Sequence, residues 1–238
     1  HLLLEVPYYI TENKIFKGSQ KIKMGHVNAE AQIFYTIDGR EPSENSMMYK
    51  NEIEITKNTE IRAFSMFNNR KSKIVHAHFT IIPEKYTIEI KNPYANQYAA
   101  NGDYTILDGI KGTDDFRTGT WQGYEGVDFE ATIDLGEQLY ATAFSLGCFQ
   151  DINAWIFMPD YVEFEFSTDG NYFTNLGRVK NKVSHEEWGA IIDNFTIQFY
   201  PKNVRYIKIK AKNIGECPTW HKGAGGKAWI FIDELTIK

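Results

Sequence analysis

Cysteine is almost missing from this 238-residue sequence, which holds only Cys148 and Cys217. Two cysteines cannot build a multi-bridge framework, so the chain must be held by packed core, and its length is ample for that. The pair leaves two readings open, two small buried hydrophobes or a single disulfide. Cys and His clustered in sequence as metal ligands are absent too. No run approaches the roughly 18 apolar residues of a membrane span. Basic excess is lacking: 26 Lys and Arg stand against 31 Asp and Glu, for a formal net charge of -5. No positive field therefore invites nucleic acid or an anionic membrane. The densest basic group, Arg70-Lys71-Ser72-Lys73, is short and reads as a solvated loop. The opening HLLLEVPYYI lacks the charged start, apolar core and cleavage site of a signal peptide, and reads as the interior of a longer protein. A phosphate loop is excluded at Gly226-Lys227, because His221 stands where the first Gly belongs and Ala228 replaces the hydroxyl residue.

What the sequence does have is alternation. Residues 52–67, 161–170, 195–201 and 206–212 alternate apolar and polar side chains, the pattern of half-buried strands. Turn dipeptides punctuate them at Asp38-Gly39, Asp108-Gly109 and Asp169-Gly170. No segment sustains a helical period beyond two turns. The expectation is an all-β chain of antiparallel sandwiches. Pro83 interrupts the strand ending at Ile82 and a fresh alternating segment begins at Tyr86. We therefore divide the chain into residues 1–84 and 85–238.

Within the first part, IFYTIDGREPSENSMMYKNEIEITKNTEIRAFS resembles the chitobiase/β-hexosaminidase C-terminal repeat, over most of residues 5–82. The resemblance implies a small immunoglobulin-like spacer module attached to a glycoside hydrolase, without catalysis of its own. His76 and His78 share a strand face, but no third metal ligand is visible and they read as strand surface.

In the second part, YTILDGIKGTDDFRTGTWQGYEGVDFEATIDLG and the terminal FIDELTI resemble the coagulation factor 5/8 type C, or discoidin-like, fold over roughly residues 90–238. Within that fold the match is to carbohydrate-binding module family 32, which implies a galactose-binding-like jelly-roll β-sandwich. The resemblance also implies a structural calcium ion, with sodium as the alternative. Its ligands would be the Asp108 and Glu234 carboxylates, the carbonyls of Thr105, Ile110 and Asp233, and Thr113 through carbonyl and hydroxyl. Hard oxygens of this kind suit Ca²⁺, and Gly109 and Gly112 would let the turn curl its carbonyls inward. The plain alternative is an Asx turn at Asp108 with Glu234 facing water.

Sugars pair with an aromatic platform and a few fixed hydrogen-bond partners. Two aperiodic stretches supply both, residues 148–161 with Gln150, Asp151, Asn153, Trp155 and Phe157, and residues 213–229 with Trp220, His221 and Trp229. Long loops without periodicity suggest function, and the glycines of the second would let backbone approach a ligand. Trp220 and His221 are the leading binding candidates. Trp155, Phe157 and Trp229 divide between core and platform, Trp121 reads as core, and Trp188 reads as a surface loop. Gln122 stands where many family members place a contacting His, and the middle loop has FMPDY in place of their Arg, which points to an altered pocket.

The chain itself is expected to be non-catalytic. Its adjacent acidic pairs point to opposite faces if extended, and no nucleophile elbow is present. The expected function is that of an accessory region of an exported glycosidase, by association a β-N-acetylhexosaminidase, binding terminal galactose, GalNAc or GlcNAc. The partners would be a glycan and the parent's catalytic domain, with no nucleic acid and no membrane. The resemblance places the protein in the periplasm or at the cell surface of a Gram-negative bacterium. Two alternatives stand beside this, a structural tail packed on the catalytic barrel and a discoidin-type adhesion module.

Overall fold

A computed structural model describes residues 4–11 and 14–238 of the protein. The first three residues of the opening stretch, and Glu12 and Asn13 within the first resemblance, lie outside the described residues. The fold is all-β, in two compact units, His1–Glu84 and Lys85–Lys238. Among the described residues no helix is long and apolar enough to cross a membrane.

The first unit holds strands β1 (Tyr8–Ile10), β2 (Ile15–Lys17), β3 (Gln20–Gly25), β4 (Gln32–Thr36), β5 (Met47–Met48), β6 (Ile53–Ile55), β7 (Thr59–Phe67), β8 (Arg70–Lys71) and β9 (Val75–Ile82). They form one sheet in the order β1-β3-β6 and another along β2-β9-β7-β4-β5, with β8 on β7. Every pairing is antiparallel except β2 with β9. Ile22, Met24, Ile53 and Ile55 of the first sheet share a buried cluster with Ile33, Ile61, Ala63, Ala77 and Phe79 of the second, which makes the unit a small sandwich. His76 and His78 lie on the outer face of β9, and among the described residues no three His, Cys, Asp or Glu side chains gather as a metal site.

The second unit holds β10 (Thr87–Ile90), β11 (Gln122–Glu125), β12 (Phe129–Gln150), β13 (Tyr161–Ser167), β14 (Thr174–Lys180), β15 (Ile191–Ala211) and β16 (Trp229–Ile237). Its two longest strands serve both layers. Phe129–Asp134 of β12 pairs with β10 and with Tyr206–Ala211 of β15, which also pairs with β13. Further along, Ala143–Gln150 pairs with Ile191–Gln198 and with β16. The switch between layers falls at register shifts after Asp134 and after Ala141, the bulged corners by which one strand can bend into two sheets. Gly136 sits at the first corner with φ 70, where a side chain would be strained. Between the layers, Phe129, Ile133, Phe144, Leu146, Phe164, Ile207, Ile209, Ile230 and Ile232 form one buried cluster.

The two cysteines are free and buried. Cys148 lies in that main cluster, and Cys217 lies in a smaller one with Ile152, Phe157 and Ala228. Of the two sequence readings, the pair of small hydrophobes is the one realised.

The register decides where the loops go. Gln150 pairs with Ile191, and Phe149 pairs with both Ile192 and Phe231. The C-terminal end of β12 and the N-terminal ends of β15 and β16 therefore lie side by side. Three connections meet at that edge, residues 151–160, 181–190 and 212–228.

Candidate functional site

The first of these loops opens with Asp151, whose carboxylate accepts the Asn153 N–H at 3.1 Å and starts a single 3-10 turn, Ile152–Ala154. Trp155 closes the turn in a left-handed conformation, φ 66, which is costly for a bulky residue. Its surroundings hold it there. The Trp155 N–H donates to Ile152 O at 3.1 Å and its carbonyl accepts the Trp229 N–H at 2.9 Å. Its indole lies on two glycines of the third loop: a Cβ on either Gly223 or Gly226 would stand 2.5 Å from the ring. These glycines make room for Trp155, not for a ligand as the sequence suggested. Trp155 still keeps 36% of its surface exposed.

His221 is corrected from contact residue to internal strut. It is buried, with Nε2 2.7 Å from Ile152 O and Nδ1 accepting the Gly223 N–H at 3.1 Å, so the ring carries its proton on Nε2 and ties the third loop to the first. Phe157 is likewise buried, edge-on to His221, Trp220 and His185 at 5.4, 6.4 and 5.9 Å between centroids. Gln150 is buried too: its Oε1 accepts the Met158 N–H at 3.1 Å, and its Nε2 donates to Ser184 O at 2.9 Å and Glu187 O at 3.1 Å. Gln122 donates to Gly102 O at 2.9 Å and accepts the Tyr124 hydroxyl at 2.6 Å, out of reach of solvent. Trp229 is half-buried against Tyr98 and Phe231. The common reason is that irregular loops lack a ladder partner, and their backbone groups must be satisfied by side chains.

What reaches solvent is a set of indoles. Trp220 is 43% exposed and Trp188 59%. Trp155, Trp220 and Trp188 belong to the first, third and second loops respectively, and each loop is pinned by a buried polar side chain. Sequence reasoning missed the third pin, Asn213, whose Nδ2 lies 3.0 Å from Ala228 O and 3.1 Å from Val127 O while its Oδ1 accepts the Gly215 N–H at 2.8 Å. Nothing in its neighbourhood distinguishes it from an ordinary loop asparagine.

A second constellation joins the Asp108 turn to β16. Asp108 and Asp233 are buried. Asp108 accepts from Asn101 Nδ2 at 2.8 Å and from the Ile110 N–H at 2.7 Å. The Gly109 N–H donates to Glu234 Oε2 at 2.9 Å, and the Gly112 N–H to Asp233 Oδ2 at 2.5 Å. Asp233 Oδ1 is buried without any hydrogen-bond partner, and Gly147 is needed there because a Cβ would stand 1.9 Å from it. Burial, reinforced by mutual repulsion, pushes the Glu234 carboxyl up to about 8 and Asp108 up to about 6; burial also raises Asp233. Desolvated acids, one with an orphaned oxygen, are what a hard cation would relieve, but among the described residues no three acidic side chains gather closely enough to form a metal site as they stand. Thr113 is engaged elsewhere. Its hydroxyl is engaged with Asp115 O at 3.0 Å and Thr118 Oγ1 at 2.9 Å, and its carbonyl accepts the Trp121 indole N–H at 2.8 Å. The expectation for Gly112 is also corrected: only Gly109 has positive φ, 72, while Gly112 is required because the Trp121 ring lies 2.1 Å from where its Cβ would be.

A concavity of about 590 Å³ lies elsewhere, on the outer face of the sheet formed by β10, β12, β15 and β13. Its charges satisfy one another across strands, with Lys91–Glu130 and Lys210–Glu130 both at 2.9 Å. It is a solvated charge ladder, and the exposed tryptophans lie away from it, at the loop end.

Residues 11–77 match the family model of the Chitobiase/beta-hexosaminidase C-terminal domain, in agreement with the resemblance read from the first unit. No curated protein matches the chain. Similar solved structures include a GH29 fucosidase of Ruminococcus gnavus in complex with fucose, 17% identical over 65% of this chain, TM-score 0.42. The chain spans 25% of that fucosidase. Two others come from Clostridium perfringens. The CpGH89 CBM32-5 module, in complex with GalNAc-beta-1,3-galactose, is 15% identical, covers 64% of this chain and 94% of its own, and has a TM-score of 0.40. The family 32 CBM of NanJ, in complex with galactose, is 16% identical with coverage of 64% and 93% and a TM-score of 0.40.

The acid cluster sets a pH dependence. Carboxyls whose folded pKa is raised stabilise fully below their ordinary values near 4, and that contribution is lost as pH rises through the folded values, here about 6 and about 8. In chelator, the thermal midpoint is therefore expected to fall between pH 5 and pH 8.5, and Glu234→Gln is expected to flatten the decline. Paired carboxylates such as Asp134, held low by Arg205, protonate only below this window and do not obscure it. A midpoint that rises with pH in chelator would contradict this picture.

Proposed function

We propose that this chain is a non-catalytic accessory region of an exported glycoside hydrolase, and that the loop end of its second unit binds a glycan. One observation carries the reading: Trp155 and Trp220 stay 36% and 43% exposed on loops that buried hydrogen bonds hold in place. An indole held at low entropic cost offers its face to the weakly apolar face of a sugar. Around it stand Lys222 and Asn153, both exposed, as partners for hydroxyls. With Gln122, Gln150 and His221 turned inward, the hydrogen-bonding groups differ from those the resemblance implies, so the site is an aromatic platform with a polar rim.

The match of residues 11–77 supports a parent of the β-N-acetylhexosaminidase kind, whose catalytic domain would do the chemistry while this region raises the effective concentration of its glycan. The corresponding sugars are galactose, GalNAc and GlcNAc, and the compartment is the periplasm or cell surface. The reading also includes a calcium ion held by Asp108, Asp233 and Glu234 with the carbonyls of Thr105 and Ile110. Such an ion supplies positive charge to desolvated carboxylates. The residues themselves join the Asp108 turn to the last strand through the Gly109 and Gly112 N–H groups.

Calcium added to chelated protein at pH 8 is expected to raise the thermal midpoint by several degrees, in proportion to the logarithm of its concentration above Kd, and Glu234→Gln to remove most of the gain. An unchanged midpoint would remove calcium from the account. For the glycan, calorimetric titration with galactose, GalNAc and GlcNAc is expected to give weak, saturable binding of one of them, reduced about tenfold or more by Trp220→Ala, which corresponds to ~1.4 kcal/mol. No heat from folded protein with any sugar would favour instead a tail that packs its indoles on the catalytic barrel.

A further inference from the structure

We infer that Trp188 is a further contact of the same site, which therefore takes an oligosaccharide of two or more units, uncharged at its Trp188 end, in place of a lone terminal sugar. The inference rests on the glycan-binding reading above. Three observations lead to it. The first is exposure: Trp188 shows 59% of its surface, the most of any tryptophan in the chain, an unusual cost in water for the largest apolar side chain.

The second is attachment. Ser184 and Glu187 are both fastened by their carbonyls to the Gln150 amide inside the fold, so the second loop is held against the first. Asn181 adds a bond from its Nδ2 to Val183 O at 2.7 Å. The residue next to a fastened carbonyl is Trp188. Gln150 is thus a positioning residue for the second loop, which accounts for a glutamine buried at the end of β12.

The third is proximity. His185 of the second loop and Trp220 of the third pack on the same ring, Phe157, at 5.9 and 6.4 Å. His221 continues the path to Trp155 at 6.2 Å. One Gln150 amide holds both Glu187 O and the Met158 N–H, so the chain at Trp188 starts beside Phe157, the ring on which Trp220 packs. Glu186 and Glu187 immediately precede Trp188, both exposed, and would repel a uronate or sialic acid placed there while accepting hydrogen bonds from hydroxyls.

The test is calorimetric titration of wild type, Trp188→Ala and Trp188→Phe with three probes: the best-bound monosaccharide, a neutral mucin-type trisaccharide ending in it, and a trisaccharide of the same kind ending in sialic acid. Wild type is expected to bind the neutral trisaccharide about tenfold tighter than the monosaccharide, an aromatic contact's worth. Trp188→Ala should erase that ratio while leaving monosaccharide binding unchanged, and Trp188→Phe should restore part of it. The sialylated probe should bind no better than the monosaccharide. A ratio of one in wild type, or a ratio that survives Trp188→Ala, would overturn the inference while leaving glycan binding intact. Silence with every probe would sink both readings together.

Discussion

The pairing of β12 with β15 is the constraint on which the second unit depends. Each strand runs more than twenty residues and contributes to both layers, so a single register fixes the core and the loop end together. A slip of one residue would turn Phe144, Leu146 and Cys148 from the core to the surface. It would also separate Gln150 from Ile191, and with that the edges from which the three loops leave. The bulges after Asp134 and Ala141 absorb the bend between layers and lock that register. Stability and the placement of the indoles thus follow from the same hydrogen-bond ladder.

Beyond the ladder, order passes to a few buried polar side chains. Gln150, His221 and Asn213 each close bonds to two separate segments, and each would leave unsatisfied backbone groups in a dry interior if removed. Trp155 shows the result most plainly. Its left-handed backbone is held by the 3-10 turn on one side and by β16 on the other, and its ring is held by two glycines. An arrangement of that kind spends stability on presenting an aromatic surface, which is what a preformed recognition site requires.

The fold was legible because burial follows alternation: Val162 and Phe164 in β13 and Ile207 and Ile209 in β15 point inward at every second position. The length of β12 was not, since Gly136 reads as a turn and only the bulge geometry carries the strand past it. The site was half legible. Loop tryptophans announce themselves, and Trp155 and Trp220 do reach solvent. Gln122, Gln150 and His221 misled because a glutamine that contacts a sugar and one that satisfies a buried carbonyl look alike in sequence; only the partner's position separates them. The acids illustrate the same limit. Asp108, Asp233 and Glu234 are 125 residues or more apart at the extremes, yet the Gly109 N–H to Glu234 bond joins them, whereas Thr113, five residues from Asp108, turns toward Asp115 and Trp121.

The central claim is that a glycan meets indoles from three loops at one end of the second unit. The most direct measurement is NMR of the indole N–H resonances of the five tryptophans during titration with a neutral mucin-type trisaccharide. Saturable shifts at Trp155, Trp188 and Trp220, with Trp121 unmoved beneath its bond to Thr113, are the expected result. Shifts confined to Trp121, or no shift at any indole while the sugar demonstrably binds, would contradict the account and send the search to another face of the molecule.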